Sequence, residues 1–412
     1  MAGMTDIAVI GAGVIGLTCA LRLAQDGHAV ALIDPADPGS GASYGNAGTI
    51  ADYAVMPVGS PGVLRALPSL LFDRDSPLSI RRAAILSLAP WLARFLWQSR
   101  AAAAERNARA LAALLDGASA EWQALASEVA GAAHLQARGM LYLYETEAAR
   151  RAAEADLAFR RTLGIPVEMI DADALAAMEP GLPPMAGGAA FFPKSVFLSD
   201  PGRMMAHLAR AVLRAGVEPV RARIEALERV PVGVLLRGPG FLRTFRRVVI
   251  AAGARSRRLA AMAGDRVPLD TERGYHVEWD MEAPPLTRPA CPTTRGFYLC
   301  PMQGRLRVAG TVELGGLDAA PSPHRVARLV AGARALFPHL GPPARDWMGL
   351  RPSIPDSLPV IGPSRAGAEV IHAYGHGHIG LTLAPRTARI VADLAAGRDP
   401  GAAALPCAPG RF

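Results

Sequence analysis

Hydrophobic periodicity defines the first elements. Residues 7–10 (IAVI) form a continuous apolar run after Asp6, the pattern of a strand covered on both faces. A glycine turn over 11–16 follows, and residues 17–25 predict a helix stopped at Asp26-Gly27. Residues 29–33 (AVALI) read as a second buried strand ending at Asp34. Strand, helix and strand make a βαβ unit and therefore a parallel sheet.

Further on, residues 35–62 are rich in Gly, Ser, Pro and Asn and predict loop. From about 77 to 163 the chain becomes Ala/Leu/Arg-rich and helix-forming, interrupted by a strand at 140–144 (MLYLY). Asp200-Pro201 supplies an N-cap and a first-turn proline for a helix to 215, which Gly216 should stop. Strands are expected at 233–237 and 246–251, antiparallel strands at 274–280, 296–300 and 305–312, and a helix at 322–337. The end returns to a strand at 369–374, the turn GHGHIG, and a helix to 396 with Gly397 behind it. The expected fold is α/β. A Rossmann-type dinucleotide domain would be assembled from 1–76, 186–266 and 345–412, with an α+β substrate lobe on an antiparallel sheet inserted as 77–185 and 267–344.

Composition narrows the function classes. Of 412 residues, 51% are hydrophobic and 19% charged, which excludes disorder. The formal charge of +8 is carried by scattered arginines without aromatic interleaving, so nucleic-acid binding is not expected. Lys194 is the only lysine: there is no phosphate-binding G-x-x-x-x-G-K loop, and a Schiff base could form nowhere else. Cys19, Cys291, Cys300 and Cys407 make no C-x-x-C pair and no zinc spacing, which points to a reducing, cytoplasmic compartment. No run reaches the eighteen apolar residues of a spanning helix. The stretch AAILSLAPWLARFLW (83–97) reads as a core-facing helix pair broken at Pro90, with peripheral contact to a membrane as the alternative.

Three motifs carry chemistry. Gly11-Ala12-Gly13-Val14-Ile15-Gly16 is G-x-G-x-x-G after a strand and opening a helix. There Gly11 makes the tight turn, Gly13 lets a pyrophosphate approach, Gly16 permits close packing, and Asp34 accepts from ribose hydroxyls. The strand RVVIAAGA (247–254) ends in small residues, Ala252 and Gly253 among them, that would let the chain pass close to a bound cofactor. The turn Gly375–Gly380 offers a glycine-rich backbone and then a helix N-terminus, suited to the negative N1–C2=O edge of a reduced flavin. His376 and His378 have no carboxylate partners nearby, so no metal is expected.

With these motifs the chain resembles the FAD-dependent amino-acid oxidoreductases of the D-amino-acid oxidase and glycine oxidase type, and within them the small-subunit type of bacterial D-amino-acid dehydrogenase. The likeness rests on IAVIGAGVIGLTCALRLAQDGHAVALID, SYGNAGTIADYAVMPVGSPG, DSPLSIRRA, GYHVEW, RLRVAGTVEL, GLRPSIPDSLPVIG and YGHGHIGLT, and covers essentially the whole chain. It implies FAD held by the glycine motif (with Val14 and Ile15), by Ser43, Asn46, Ala47 and Gly48 around the pyrophosphate and isoalloxazine, and by Ile224 at the adenine. Gly349, Gly377, His378, Gly380, Leu381 and Thr382 complete the flavin site. Arg351 of GLRP would bind the substrate carboxylate, Tyr53 and Tyr275 would line the substrate pocket, and His376 lies in the turn beside it. With no histidine or cysteine in residues 39–48, noncovalent FAD is expected.

The implied reaction is hydride transfer from Cα of an amino acid, D-configured by the likeness, to flavin N5. The imino acid then hydrolyses to a 2-oxo acid and ammonia, and the electrons pass to a quinone or other carrier. Alternatives are a related flavin enzyme acting on glycine, sarcosine, D-proline, hydroxyproline or an opine, and a flavin-binding relay subunit of a larger complex. An NAD dehydrogenase would leave the C-terminal glycine turn without a purpose.

Overall fold

The computed structural model of the chain describes residues 6–65, 76 and 78–412. Its first sheet has the strand order Glu218–Val220, Val30–Ile33, Ile7–Ile10, Arg247–Ile250, Gly367–Tyr374, Val360–Ser364, parallel throughout except for the last pair. Alternation divides the side chains of its central strand. Ile7 and Val9 enter a core with the helices Val14–Gln25, Pro201–Arg214 and Gly380–Ala395. Ala8 and Ile10 enter a second core beneath a three-stranded ribbon, Ala226–Val230, Gly233–Gly238 and Phe241–Phe245. The helix begun by Asp200-Pro201 is capped as expected, the Asp200 carboxylate accepting from the Arg203 N–H at 3.0 Å.

The second sheet runs Arg345–Ser353, Asp270–Asp280, Arg305–Leu314, Phe297–Met302, Ala290–Pro292, Met140–Leu143, Ala189–Phe192, Glu168–Ile170, with Leu78–Ile80 added beside Arg305–Leu314. Most of its pairs are antiparallel. One face is covered by the helix Pro323–Leu336 over Tyr275, Val277 and Trp279. The opposite face looks toward the first sheet's loops.

Three expectations need correction. The strands Ala189–Phe192 and Arg345–Ser353, assigned by sequence to the nucleotide domain, are hydrogen-bonded into the large sheet. The second carries Gly349 and Pro352 and lacks the alternation that would have marked it as a strand. The helices Ala101–Leu115 and Ala118–Glu128, assigned to the inserted lobe, bury Leu111, Leu114, Leu115 and Trp122 in the nucleotide-side core. Residues Ile85–Gln98 are one helix, continuous through Pro90. That proline lies on the exposed side, as does Leu86 four residues earlier, so solvent can satisfy the carbonyl it leaves unpaired. No described helix is long and apolar enough to cross a membrane. Of the DSPLSIRRA motif, Asp75 and Pro77 lie outside the described residues.

The C-terminal helix also runs through a proline, Pro385, and here the freed carbonyl is buried. Trp122 resolves this: its Nε1–H donates to the Leu381 carbonyl at 2.8 Å, replacing the bond that Pro385 cannot make. Trp122→Phe should therefore cost about 1–3 kcal/mol in chemical unfolding, the range for leaving a buried acceptor unsatisfied. On a Pro385→Ala background the restored backbone N–H should shrink that loss. Equal losses on both backgrounds would refute the compensation.

Candidate active site

A cavity of about 1290 Å³ lies between the two sheets. At one end it is formed by the glycine turn. A Cβ on Gly11 (φ 107°) would lie 2.4 Å from the Ala251 carbonyl, and one on Gly16 would lie 1.7 Å from the Gly11 carbonyl, so neither position can carry a side chain. Asp34 holds the turn in place: its carboxylate accepts from the Ala12 N–H at 2.7 Å and the Ala36 N–H at 2.8 Å. Ser43 Oγ accepts from Val14 N at 2.9 Å, joining the 39–48 loop to the first helix. Asn46 shapes that loop by donating to the Ser43 carbonyl and accepting from Gly48 N at 2.6 Å.

The large sheet grips the same loop from above. Arg307 donates to the carbonyls of Tyr44 at 3.1 Å and Asn46 at 2.5 Å, while His276 Nδ1 sits 2.9 Å from the Gly45 carbonyl and stacks on Trp347. Burial and Arg307 push the His276 imidazole down to about 4, so at neutral pH Nδ1–H is the donor.

The sequence-predicted residues Gly11, Gly13, Val14, Ile15, Asp34, Ser43, Asn46, Ala47, Gly48, Ile224, Ala252, Gly253, Gly349, Gly377, His378, Gly380 and Leu381 all line this cavity. Gly16 and Thr382 do not: Gly16 is a packing position, and Thr382 Oγ1 accepts from Ala51 N at 2.9 Å, tying the 49–51 segment to the last helix.

Of the four residues assigned to the reacting end, two face the cavity with unused polar atoms. The Tyr53 hydroxyl is buried without a hydrogen-bond partner among the described residues, its ring stacked on Phe192 at 4.5 Å and edge-on to Tyr142 at 5.6 Å. Arg351 extends over Gly274, where a Cβ would come within 2.5 Å of its Cζ. Its one hydrogen bond goes to the Thr311 carbonyl at 3.5 Å, and among the described residues no carboxylate lies within 4.0 Å of it. Thr311 is the extra residue at a bulge in the sheet, with φ at 57°, a conformation uncommon for a β-branched residue.

The other two also line the cavity, but their polar atoms are engaged elsewhere. Tyr275 donates from its hydroxyl to Glu313 at 2.7 Å and accepts from Ser322 N at 3.1 Å, within the core under the Pro323–Leu336 helix. Alternation along the strand puts its side chain on the face opposite Arg351. His376 turns its ring into the last helix, Nε2 lying 3.0 Å from Thr387 Oγ1, and burial pushes it down to about 3. His378 is exposed where it opens on the cavity, beside Arg351, and its imidazole is lowered from its ordinary value. His376 is neutral at physiological pH.

Tyr142, Tyr298, Arg160, Trp347 and Glu272 also line the cavity and were not anticipated from sequence. MLYLY and GFYLC contain tyrosines whose strand parity could have been read. Glu272 carries no local signal. Among the described residues no group of three His, Cys, Asp or Glu could hold a metal ion.

The wall fits a long, partly anionic cofactor. Two helix N-termini, at Val14 and Gly380, open on one cavity, and the amide N–H groups of Gly13 and Ile15 at the first and of Gly380 and Leu381 at the second donate to no backbone carbonyl among the described residues. Phosphate at the first and a flavin edge at the second match those donors. Fold and site together define an FAD-binding oxidoreductase. Residues 6–394 match the family described as "DAO: FAD dependent oxidoreductase", and the chain belongs to that family. It is similar to a protein of Bradyrhizobium diazoefficiens named D-amino-acid oxidase, at 35% identity over 98% of both chains. A Ralstonia nicotianae protein named D-amino acid dehydrogenase 2 is 32% identical over 98% of this chain and 99% of its own. The crystal structure of glycine oxidase from Geobacillus kaustophilus superposes with a TM-score of 0.77 at 26% identity, covering 99% of this chain and 98% of that one.

Asp34→Ala removes the acceptor for Ala12 N and should weaken FAD binding about 10- to 100-fold, the range for a hydrogen bond to a charged group. Flavin fluorescence titration of apoprotein would measure it, with far-UV circular dichroism unchanged. Undiminished FAD affinity would remove Asp34 from the cofactor site.

Proposed function

We propose that the protein oxidises the Cα–N bond of an amino acid, most directly a D-amino acid, to an imino acid that hydrolyses to a 2-oxo acid and ammonia. The observation that carries this reading is the Arg351 guanidinium in the cavity wall, which has no carboxylate partner among the described residues. A planar, permanently charged fork with only a long hydrogen bond to the Thr311 carbonyl and no carboxylate partner among the described residues is suited to one group above all, a carboxylate bound by two parallel hydrogen bonds. The names of the Bradyrhizobium and Ralstonia relatives support a D-amino acid as the molecule that brings it.

Bound flavin supplies a two-electron acceptor for the hydride that leaves Cα. The chain's own residues bind, orient and exclude water. Arg351 fixes the carboxylate and with it the direction of Cα–H. Tyr53 offers a buried hydroxyl with no hydrogen-bond partner among the described residues, and the Tyr53, Tyr142 and Phe192 rings pack together behind it. Because His376 is buried, neutral and turned into the last helix, it does not compete with Arg351 for the carboxylate.

FAD is held without a covalent bond in this reading, since none of the four cysteines lines the cavity and the 39–48 loop has no histidine. Electrons leave to a quinone or other carrier on the cytoplasmic side. Any contact with a membrane surface falls to Leu86 and Trp97, the exposed apolar side chains of the Ile85–Gln98 helix.

The test is an anaerobic panel of D- and L-amino acids, glycine, sarcosine and D-proline, following loss of the visible flavin band. D-amino acids should bleach the wild type. Arg351→Met should keep its FAD while kcat/KM falls about 30- to several-thousand-fold, the equivalent of about 2–5 kcal/mol for one lost partner of a buried pair. Arg351→Lys should recover only part, because an ammonium lacks the fork. Turnover by Arg351→Met within a few-fold of wild type would overturn the assignment. Acid precipitation should release the flavin to the supernatant, and colour retained in the pellet would contradict noncovalent binding.

A further inference from the structure

Glu272 stands directly across the sheet from Arg351: the two are paired in the register of strands Asp270–Asp280 and Arg345–Ser353, so their side chains leave the same face, toward the cavity. The guanidinium leans away over Gly274, and the two groups make no ion pair. Glu272 is 5% exposed and lines the cavity, with no hydrogen bond or ion pair to any described cation. A buried carboxylate without a cation is costly to keep, and costly groups concentrate where a ligand completes them.

We propose that Glu272 receives the ammonium group of the amino-acid substrate and accepts its proton, so that Arg351 and Glu272 together form a two-point clamp for a zwitterion. This inference rests on the amino-acid reading above. In the step, an N–H bond of the ammonium breaks, its electron pair stays on nitrogen, and an O–H bond forms on the Glu272 carboxylate. Nothing is oxidised or reduced. The neutral amine then has the lone pair needed to assist departure of hydride from Cα, and the carboxyl returns its proton to water after the product leaves.

The groups around Glu272 suit this exchange. Burial pushes its carboxyl above the usual range, while Arg351 and the Ser353 hydroxyl pull the other way. Tyr298, across the cavity wall, is raised well above the tyrosine range by burial and neighbouring tyrosines, and His378 in the facing turn is lowered from its ordinary value beside Arg351. From the helix Ser256–Met262, Arg257 is engaged with Asp270 at 3.8 Å. On the other neighbouring strand, Glu272 is opposed by the uncharged Leu314. Glu272 is thus the group on this face placed to take a proton.

Glu272→Gln in the holoenzyme separates this role from that of a passive counter-ion. With the acceptor gone, only substrate already deprotonated in solution can react. The deficit in kcat/KM should be about 10²–10⁴-fold near pH 7 and shrink about tenfold per pH unit toward the substrate ammonium pKa. A counter-ion that merely positions Arg351 would give a loss independent of pH. A second readout needs no turnover: the Kd of propionate, which has a carboxylate and no amine, measured by perturbation of the flavin spectrum. Glu272→Gln should bind propionate as well as wild type or several-fold tighter, since a negative charge beside the anion is gone. Glu272→Asp should keep the wild-type shape of the pH profile at a lower rate, and serves if the glutamine variant does not fold. A pH-independent loss, or weaker propionate binding, would overturn the proposal. If instead no amino acid bleaches the wild type, the amino-acid reading has failed, whereas bleaching with an unaltered Glu272→Gln profile would sink the Glu272 role alone.

Discussion

A guanidinium with no solvent contact joins the two halves of the molecule. Arg307 belongs to the large sheet, yet its donors reach the carbonyls of Tyr44 and Asn46 in the loop that wraps the cofactor end of the cavity. Such a charge is tolerable only with a close partner, and Glu278 supplies one at 2.7 Å. Burial alone would raise the Glu278 carboxyl, but Arg307 and Arg305 outweigh it and hold the group below its ordinary value. Arg305 at 3.0 Å and Arg345 at 3.3 Å complete its surroundings. The geometry of the cavity depends on this arrangement, because a loop rich in Gly, Ser and Asn has little apolar surface of its own to fix it.

The same strand that carries Glu278 carries Glu272 on the same face, and the contrast is instructive. One carboxylate is met by three guanidiniums and lowered, whereas the other is met by none within ion-pair distance and raised. Both are buried, so the difference is one of partners and not of depth. A sheet able to neutralise one glutamate so thoroughly leaves another, and the arginine opposite it, without a mutual bond. Stability gains nothing from that choice. Strained Thr311 at the adjoining bulge and the unpartnered Tyr53 hydroxyl fall around the same cavity, the pattern of a wall organised for a ligand.

What the sequence disclosed was what is local. The glycine turn, the cap at Asp200 and the turn at 375–380 each depend on residues a few positions apart, Asp34 on the spacing of one βαβ unit, and each occurs where the pattern puts it. The family likeness extended this to Arg351. Three features were hidden because they arise across the sheet. Tyr275 has its hydroxyl engaged by Glu313 and Ser322, partners that its own motif does not show. Arg345–Ser353 is a strand by virtue of its partner, not of its own pattern. Glu272 in TERGYH looks like any charged residue at a strand end, and acquires meaning only from the register that sets Arg351 opposite.

Charge pattern then bears on which molecules the cavity admits. A zwitterionic amino acid presents negative and positive charge on adjacent carbons, and the wall presents Arg351 and Glu272 on adjacent strands, roughly 5 Å apart at Cβ. A simple carboxylate satisfies the arginine but sets its own charge beside Glu272, and a simple amine satisfies the glutamate while facing the guanidinium. In a dry site each mismatch leaves a buried charge uncompensated, which water would otherwise have softened. Discrimination of this kind acts on the α-carbon substituents common to all amino acids and is indifferent to the side chain. Side-chain preference must therefore come from elsewhere in the wall, where Tyr53, Tyr142 and Tyr298 present rings and weakly polar hydroxyls in place of charge. On physical grounds those tyrosines, and not the charged pair, are where one amino acid would be told from another.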